Sequence, residues 1–105
     1  YFILVEAGRY VSALRLEPYE DGLLLEALET APEFRKKGYA AALIEKTQAY
    51  LEKQGSIRLY SHVSRNNIAS LRTHEKRGFR QILDYGRYID GSINRRTVTL
   101  LYTTE

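Results

Sequence analysis

The tightest constraint on this chain is the passage from an apolar run into a glycine-bearing turn and then a helix, between Leu23 and Leu51. Leu23 to Glu29 is nearly continuous in apolar residues, as a central strand covered on both faces requires, and Ala31-Pro32 stop it. Arg35, Gly38 and Ala40 then open a helix whose apolar stripe runs through Leu43, Ile44, Thr47, Tyr50 and Leu51. A helix N-terminus leaves amide groups outside the intrahelical ladder, and the helix dipole adds partial positive charge there. Such a turn is a ready anion site, with phosphate its usual guest. Gly38 permits close backbone approach to the anion and small Ala40 keeps that approach open. Arg35, Lys36 and Lys37 add formal charge. Cations in a first helical turn oppose the dipole, which an external anion would relieve. The competing reading is a solvated helix start that happens to be basic.

The remaining elements read as short strands and one further helix. Phe2 to Ala7 forms a strand, Gly8-Arg9 a tight turn, and Tyr10 to Leu16 the second strand of a hairpin. Glu17 to Gly22 is a turn cluster. The first helix spans about Arg35 to Lys53 and ends at Gly55. Ile57 to Val63 alternates, with Ile57, Leu59, Ser61 and Val63 on one face and Arg58, Tyr60 and His62 on the other. Asn67 lies in the stretch that N-caps a second helix, which runs through Ile68 and Leu71 toward Gly78. Phe79 to Tyr88 and Ile93 to Thr103 are two long strands around a turn at Asp90-Gly91-Ser92. The order is βββαβαββ. The strand–helix–strand unit from Leu23 to Val63 implies a right-handed crossover between parallel strands. Ligands in such sheets sit beyond the carboxyl ends of the strands, where both helix N-termini converge.

Composition narrows the classes. At 105 residues the chain is one domain, 1–105. The absence of Cys excludes disulfides, thiolate metal sites and a cysteine nucleophile. No window approaches the roughly 18 apolar residues of a membrane span, and the start lacks the pattern of a signal peptide. A formal charge of +3 admits nucleic acid as a partner, but the basic residues are dispersed in three small clusters. A modest excess of this kind more often serves solubility. Neither an RNA-type aromatic motif nor a helix–turn–helix is present, so a nucleic-acid-binding domain is the weakest reading.

A second signature stands downstream: Asn67-Ile-Ala-Ser70-Leu-Arg-Thr-His74-Glu-Lys-Arg-Gly78-Phe79. Together with Arg35-Lys-Lys-Gly-Tyr-Ala40 it resembles the GNAT superfamily of N-acetyltransferases. That family carries Arg/Gln-x-x-Gly-x-Gly/Ala after a strand and, further on, Asn-x-x-Ala/Ser-x-x-x-Tyr-x-x-x-Gly-Phe. The resemblance implies an α/β fold: a mixed, mostly antiparallel central sheet with a splayed parallel strand pair and helices on both faces. It covers nearly the whole chain but not the usual first strand and two helices, which commonly wall the acceptor side. With Tyr1 in place of an initiating Met, a processed, trimmed or fragmentary chain is expected.

The resemblance also implies acetyl-CoA as the cofactor, with no metal. Its pyrophosphate would rest on the amides of Lys37, Gly38, Tyr39 and Ala40, assisted by Arg35 or Lys36. Its pantetheine arm would pair with the strand edge from Leu28 to Thr30, with Asn67 hydrogen-bonded to the arm and Ser70 beside it. The plainer roles are an N-cap for Asn67 and a C-cap for Gly78.

Acetyl transfer to an amine needs a base for the ammonium, donors for the oxyanion and an acid for the thiolate. A backbone N–H between Leu28 and Thr30 suits the oxyanion. His74 stands where the family has its acidic Tyr, a departure that would make activity sensitive to pH near about 6.5. His62, Glu26 or a water remain open as the base, and Glu29 ranks lower because strand parity sets it opposite Glu26. Tyr85, Tyr88 and Tyr102 are candidates to line the acceptor cleft. The expected protein is a cytoplasmic N-acetyltransferase acting on a primary amine of a small molecule, peptide or protein. The alternative is a catalytically reduced acyl-CoA-binding module. The short chain and long C-terminal hairpin make a homodimer a reasonable expectation.

Overall fold

The computed structural model describes residues 2–6, 9–31 and 38–104, and the side chains among them except those at 2–6, 9–11, 27 and 29. The elements are β1 (Phe2–Glu6), β2 (Arg9–Tyr19), β3 (Gly22–Thr30), α1 (Tyr39–Glu52), β4 (Arg58–Ser64), α2 (Ile68–Lys76), β5 (Arg80–Leu83), β6 (Gly86–Arg87), β7 (Ile93–Asn94) and β8 (Thr97–Thr103). A six-stranded sheet runs in the order β1-β2-β3-β4-β8-β5. Its β3–β4 pair is parallel and its other pairs are antiparallel. This is the mixed α/β sheet that the sequence implied.

Alternation in β4 decides what lies on each face. Leu59 and Val63 enter one core cluster with Leu14, Leu25, Leu100 and the α1 residues Leu43 and Ile44, against which Leu71 of α2 also packs. Tyr60 enters a second cluster with Tyr19, Leu24 and Leu101. Both helices thus serve one face, where helices on both faces were expected. The other face is served by the segment after β5. Tyr19 Oη donates to the Arg87 carbonyl, and Thr99 Oγ1 donates to the Tyr85 carbonyl over 2.7 Å.

Two further expectations change. The stretch 17–22 is mostly strand: Glu17, Pro18 and Tyr19 pair with Leu24, Leu23 and Gly22, leaving only Glu20 and Asp21 to turn. Among the described residues β1 pairs with β2 as far as Leu14, so the missing N–H of Pro18 interrupts no described bond between these two strands. Burial of Tyr19 at 2% exposure holds the strand down to its end. The long C-terminal hairpin is interrupted. β5 pairs with β8 on the main sheet, with a register shift between Gln81 and Leu83, while β6 and β7 form a separate two-stranded ladder. Asn94 Oδ1 accepts the Arg96 N–H at 2.9 Å, a local turn that competes with continued pairing. The Gly8-Arg9 turn and the helix start at 35–37 fall partly or wholly outside the described residues.

Candidate active site

The parallel ladder of β3 and β4 is short. Leu23 pairs with Leu59, Leu24 with Tyr60 and Leu25 with Ser61, and there the pairing ends, although β3 continues to Thr30 and β4 to Ser64. Beyond Leu25 and Ser61 the strands part, and a cleft of about 460 Å³ opens between them. Its walls include Glu26 and Leu28 from β3, Ser61 and His62 from β4, Asn67 from the N-cap of α2, and Ser70 and His74 from α2 itself. A bulge shapes the β3 wall: Ala13 faces Glu29 but Arg15 faces Glu26, so β3 carries one extra residue opposite Leu14. Bulges re-aim side chains, and Leu28 packs against the same cluster as Leu25 despite their odd spacing. The parity that ranked Glu29 below Glu26 is interrupted at this point.

α2 begins where the sequence placed it. Asn67 Oδ1 accepts the Ser70 N–H at 3.1 Å, an N-cap that satisfies one terminal amide. Its end is equally specific. Gly78 has φ +89, and its N–H reaches back to the Glu75 carbonyl, while the Phe79 N–H reaches the His74 carbonyl, both over 3.0 Å. Glycine adopts this left-handed conformation without a Cβ penalty. The turn delivers Phe79 edge-on to His74, with ring centroids 4.9 Å apart.

His74 is 1% exposed and both ring nitrogens are engaged. Nδ1 lies 2.8 Å from the Ser70 carbonyl oxygen, and Nε2 lies 2.9 Å from Ser61 Oγ. Burial pushes the pKa of His74 down, and the bond to the Ser70 backbone opposes this. His62 differs. Its ring meets Tyr19 and Tyr88 edge-on, and its buried Nε2 has no hydrogen-bond partner among the described residues. Burial lowers its pKa, against the Arg87 backbone and the Glu26 charge. Glu26 is held by Arg15 Nη2 at 2.8 Å.

The structure therefore gathers Glu26, Leu28, His62, Asn67, Ser70 and His74 around one cleft. Thr30 ends β3, with its Oγ1 3.1 Å from Ser12 Oγ. Gly38 sits at the start of α1 with φ 82 and no atom of the described residues within 4 Å of where a Cβ would be. Among the described residues, the backbone bond at the start of α1 runs from the Ala42 N–H to the Gly38 carbonyl over 3.0 Å. Arg35, Lys36 and Lys37 lie outside the described residues. Tyr88 lines the cleft, whereas Tyr102 packs at the far end against Phe79 and donates to Glu52. Sequence reasoning missed Ser61 and Arg15. Ser61 had a signal, a polar residue between Leu59 and Val63 on a core face.

Comparison with known proteins agrees with this architecture. Residues 1–79 match the sequence model of the Acetyltransferase (GNAT) family. The chain belongs to that family. No curated sequence matches it. Among solved structures, the ribosomal-protein-S18-alanine N-acetyltransferase from Escherichia coli superposes with a TM-score of 0.77 at 22% identity, over 96% of this chain and 66% of that enzyme. The chain thus spans about two thirds of that enzyme's length. An acetyltransferase from Bacillus subtilis in complex with CoA gives a TM-score of 0.79 at 15% identity, over 96% of this chain and 74% of that one. PaiA N-acetyltransferase from Thermoplasma acidophilum, in complex with coenzyme A, gives 0.74 at 17% identity, over 92% and 55%.

Proposed function

We propose that this chain is an acetyl-CoA-dependent N-acetyltransferase that moves the acetyl group to a primary amine of a small molecule, peptide or protein by direct attack on the thioester. The observation that carries this reading is the β3–β4 ladder that stops at Leu25 and Ser61, with two histidines in the opening beyond it. An interrupted ladder offers backbone groups to an extended amide-bearing arm, as in strand addition. The pantetheine arm is such a group, and Leu28 to Thr30 are the edge that would receive it. The Asn67 side-chain amide and Ser70 would meet the arm from the other wall. The amides of Lys37, Gly38, Tyr39 and Ala40, with Arg35 and Lys36, would take the pyrophosphate. Two fold relatives in complex with coenzyme A support the same reading.

Bound acetyl-CoA supplies the activated acyl group; this chain's residues orient it and handle protons. His62 fits the base, because burial keeps it neutral and its Nε2 has no partner among the described residues. Glu26, held by Arg15, acts on His62 through its charge. His74 serves the thiolate side of the reaction from within the wall. A thermal-shift titration with acetyl-CoA, CoA and dephospho-CoA, followed by a thiol-release assay over an amine panel, tests the proposal. Stabilisation with turnover is expected. Binding without turnover on any amine would leave an acyl-CoA-binding module, and no binding would end both readings.

A further inference from the structure

The Ser61–His74 pair is a buried polar element on a face otherwise packed with Leu59 and Val63. A hydroxyl there is tolerated only because it is hydrogen-bonded. The direction of that bond follows from its neighbours. The Ser70 carbonyl can only accept, so His74 Nδ1 carries the ring proton. In the neutral ring Nε2 is then an acceptor, and Ser61 Oγ–H donates to it over 2.9 Å. A neutral His74 in this setting has no proton at Nε2 to give to a leaving group. The hydroxyl of Ser61, a residue of the same cleft wall, does. Ser61 is also the last β4 residue paired with β3, so it stands at the apex of the opening.

We propose that Ser61 is a catalytic residue of the transfer, carrying a proton from the attacking nitrogen to the departing sulfur, with His74 as the positioning residue that holds the proton in between. This rests on the acetyltransferase reading above. Acylation of an ammonium removes two protons from nitrogen. The first must leave before attack, and His62 takes it. The second leaves after the C–N bond forms, when nitrogen and sulfur are bonded to the same carbon, so one hydroxyl can serve both. Ser61 Oγ takes the N–H proton as its own proton passes to His74 Nε2. When the C–S bond breaks, Ser61 gives its proton to sulfur and Nε2 returns its proton to Oγ. Both side chains end as they began, and one proton has moved from nitrogen to sulfur. The Ser70 carbonyl at Nδ1 supports the transient imidazolium, as the orienting group does in nucleophile–base pairs.

The test compares Ser61→Ala, Ser61→Thr and His74→Gln with the wild type for kcat, KM for acetyl-CoA, and CoA-dependent thermal shift. Ser61→Ala and His74→Gln are expected to lose about 100-fold in kcat, the usual scale of proton-transfer catalysis, with KM for acetyl-CoA and the CoA-dependent shift little changed. Ser61→Thr, which keeps the hydroxyl, is expected to recover part of kcat. A Ser61→Ala enzyme with kcat within about twofold of wild type would overturn the relay while leaving the acetyltransferase reading intact. So would a loss of CoA binding in step with kcat, or a Thr variant as slow as the Ala variant. A wild type that turns over no amine would overturn the parent reading, and the relay with it.

Discussion

Tyr88 stands edge-on to His62, ring centroids 5.0 Å apart and planes at 79°, while Tyr19 meets the same imidazole from 5.5 Å at 85°. The two phenol rings fix the plane of His62 and exclude water from its flanks, which is why burial dominates its titration. A base held neutral this way must show its effect on the acid side of the pH profile. The acid limb of kcat/KM is expected to inflect below the ordinary histidine value of 6.5. Glu26 raises the His62 pKa through its charge, so Glu26→Gln is expected to move that limb to still lower pH. A limb that stays in place in the variant would remove Glu26 from the site's electrostatics.

Asn67 carries two separable roles. Its Oδ1 caps α2 through the Ser70 N–H, and its amide nitrogen is the group assigned to the coenzyme arm. Asn67→Ala is expected to cost about 1 kcal/mol in stability by denaturant titration. Asn67→Asp keeps the capping oxygen and is expected to retain that stability, while CoA binds more weakly by isothermal titration. Equal loss of stability in both variants would confine Asn67 to its cap.

Much of the site was legible because its parts are local. Asn67 and Gly78 delimit α2 by capping chemistry that needs no tertiary context, and alternation from Ile57 to Val63 is enough to set Ser61 and His62 on opposite faces. What escaped depends on long-range register. The bulge opposite Leu14 is set by pairing across the sheet and leaves no mark in the β3 sequence. The interrupted C-terminal hairpin depends on Asn94 and on Thr97, whose Oγ1 would lie 2.1 Å from a Cβ at Gly86. His74 read as the acid because it stands where the family has its Tyr; its burial under Phe79, which the motif does not announce, comes from the turn at Gly78.

Gly38 is exposed, has φ 82, and meets no atom of the described residues within 4 Å of where a Cβ would stand. Gly38→Ala therefore incurs backbone strain on the order of 1–2 kcal/mol. This turn is also the approach assigned to the pyrophosphate, so the methyl is expected to weaken CoA binding beyond what the stability loss explains. Comparing CoA with a short pantetheine thioester isolates the effect. A variant that weakens both ligands equally would argue against a diphosphate at this turn.

The depressed pKa of His74 makes fold stability depend on acidity in a narrow window. Unfolded histidine titrates at about 6.5, and burial puts the folded value lower. Between those two values the unfolded chain binds a proton that the folded chain does not. The stabilising contribution of neutral His74 is therefore fully present above about 6.5 and is lost as pH falls toward the folded value. His62 shifts in the same direction. Asp21 and Asp90 are also lowered, but from 3.8, so their contribution is lost only in more acidic solution. Urea midpoints measured from pH 7.5 down to about pH 5 are expected to decline mainly through the histidines. His74→Gln is expected to flatten that decline while lowering the midpoint at pH 7.5, since Gln cannot reproduce both the Ser61 and the Ser70 bonds in the space the ring leaves. A His74→Gln protein whose midpoint falls with pH as steeply as the wild type would show that the buried ring is not the group that titrates.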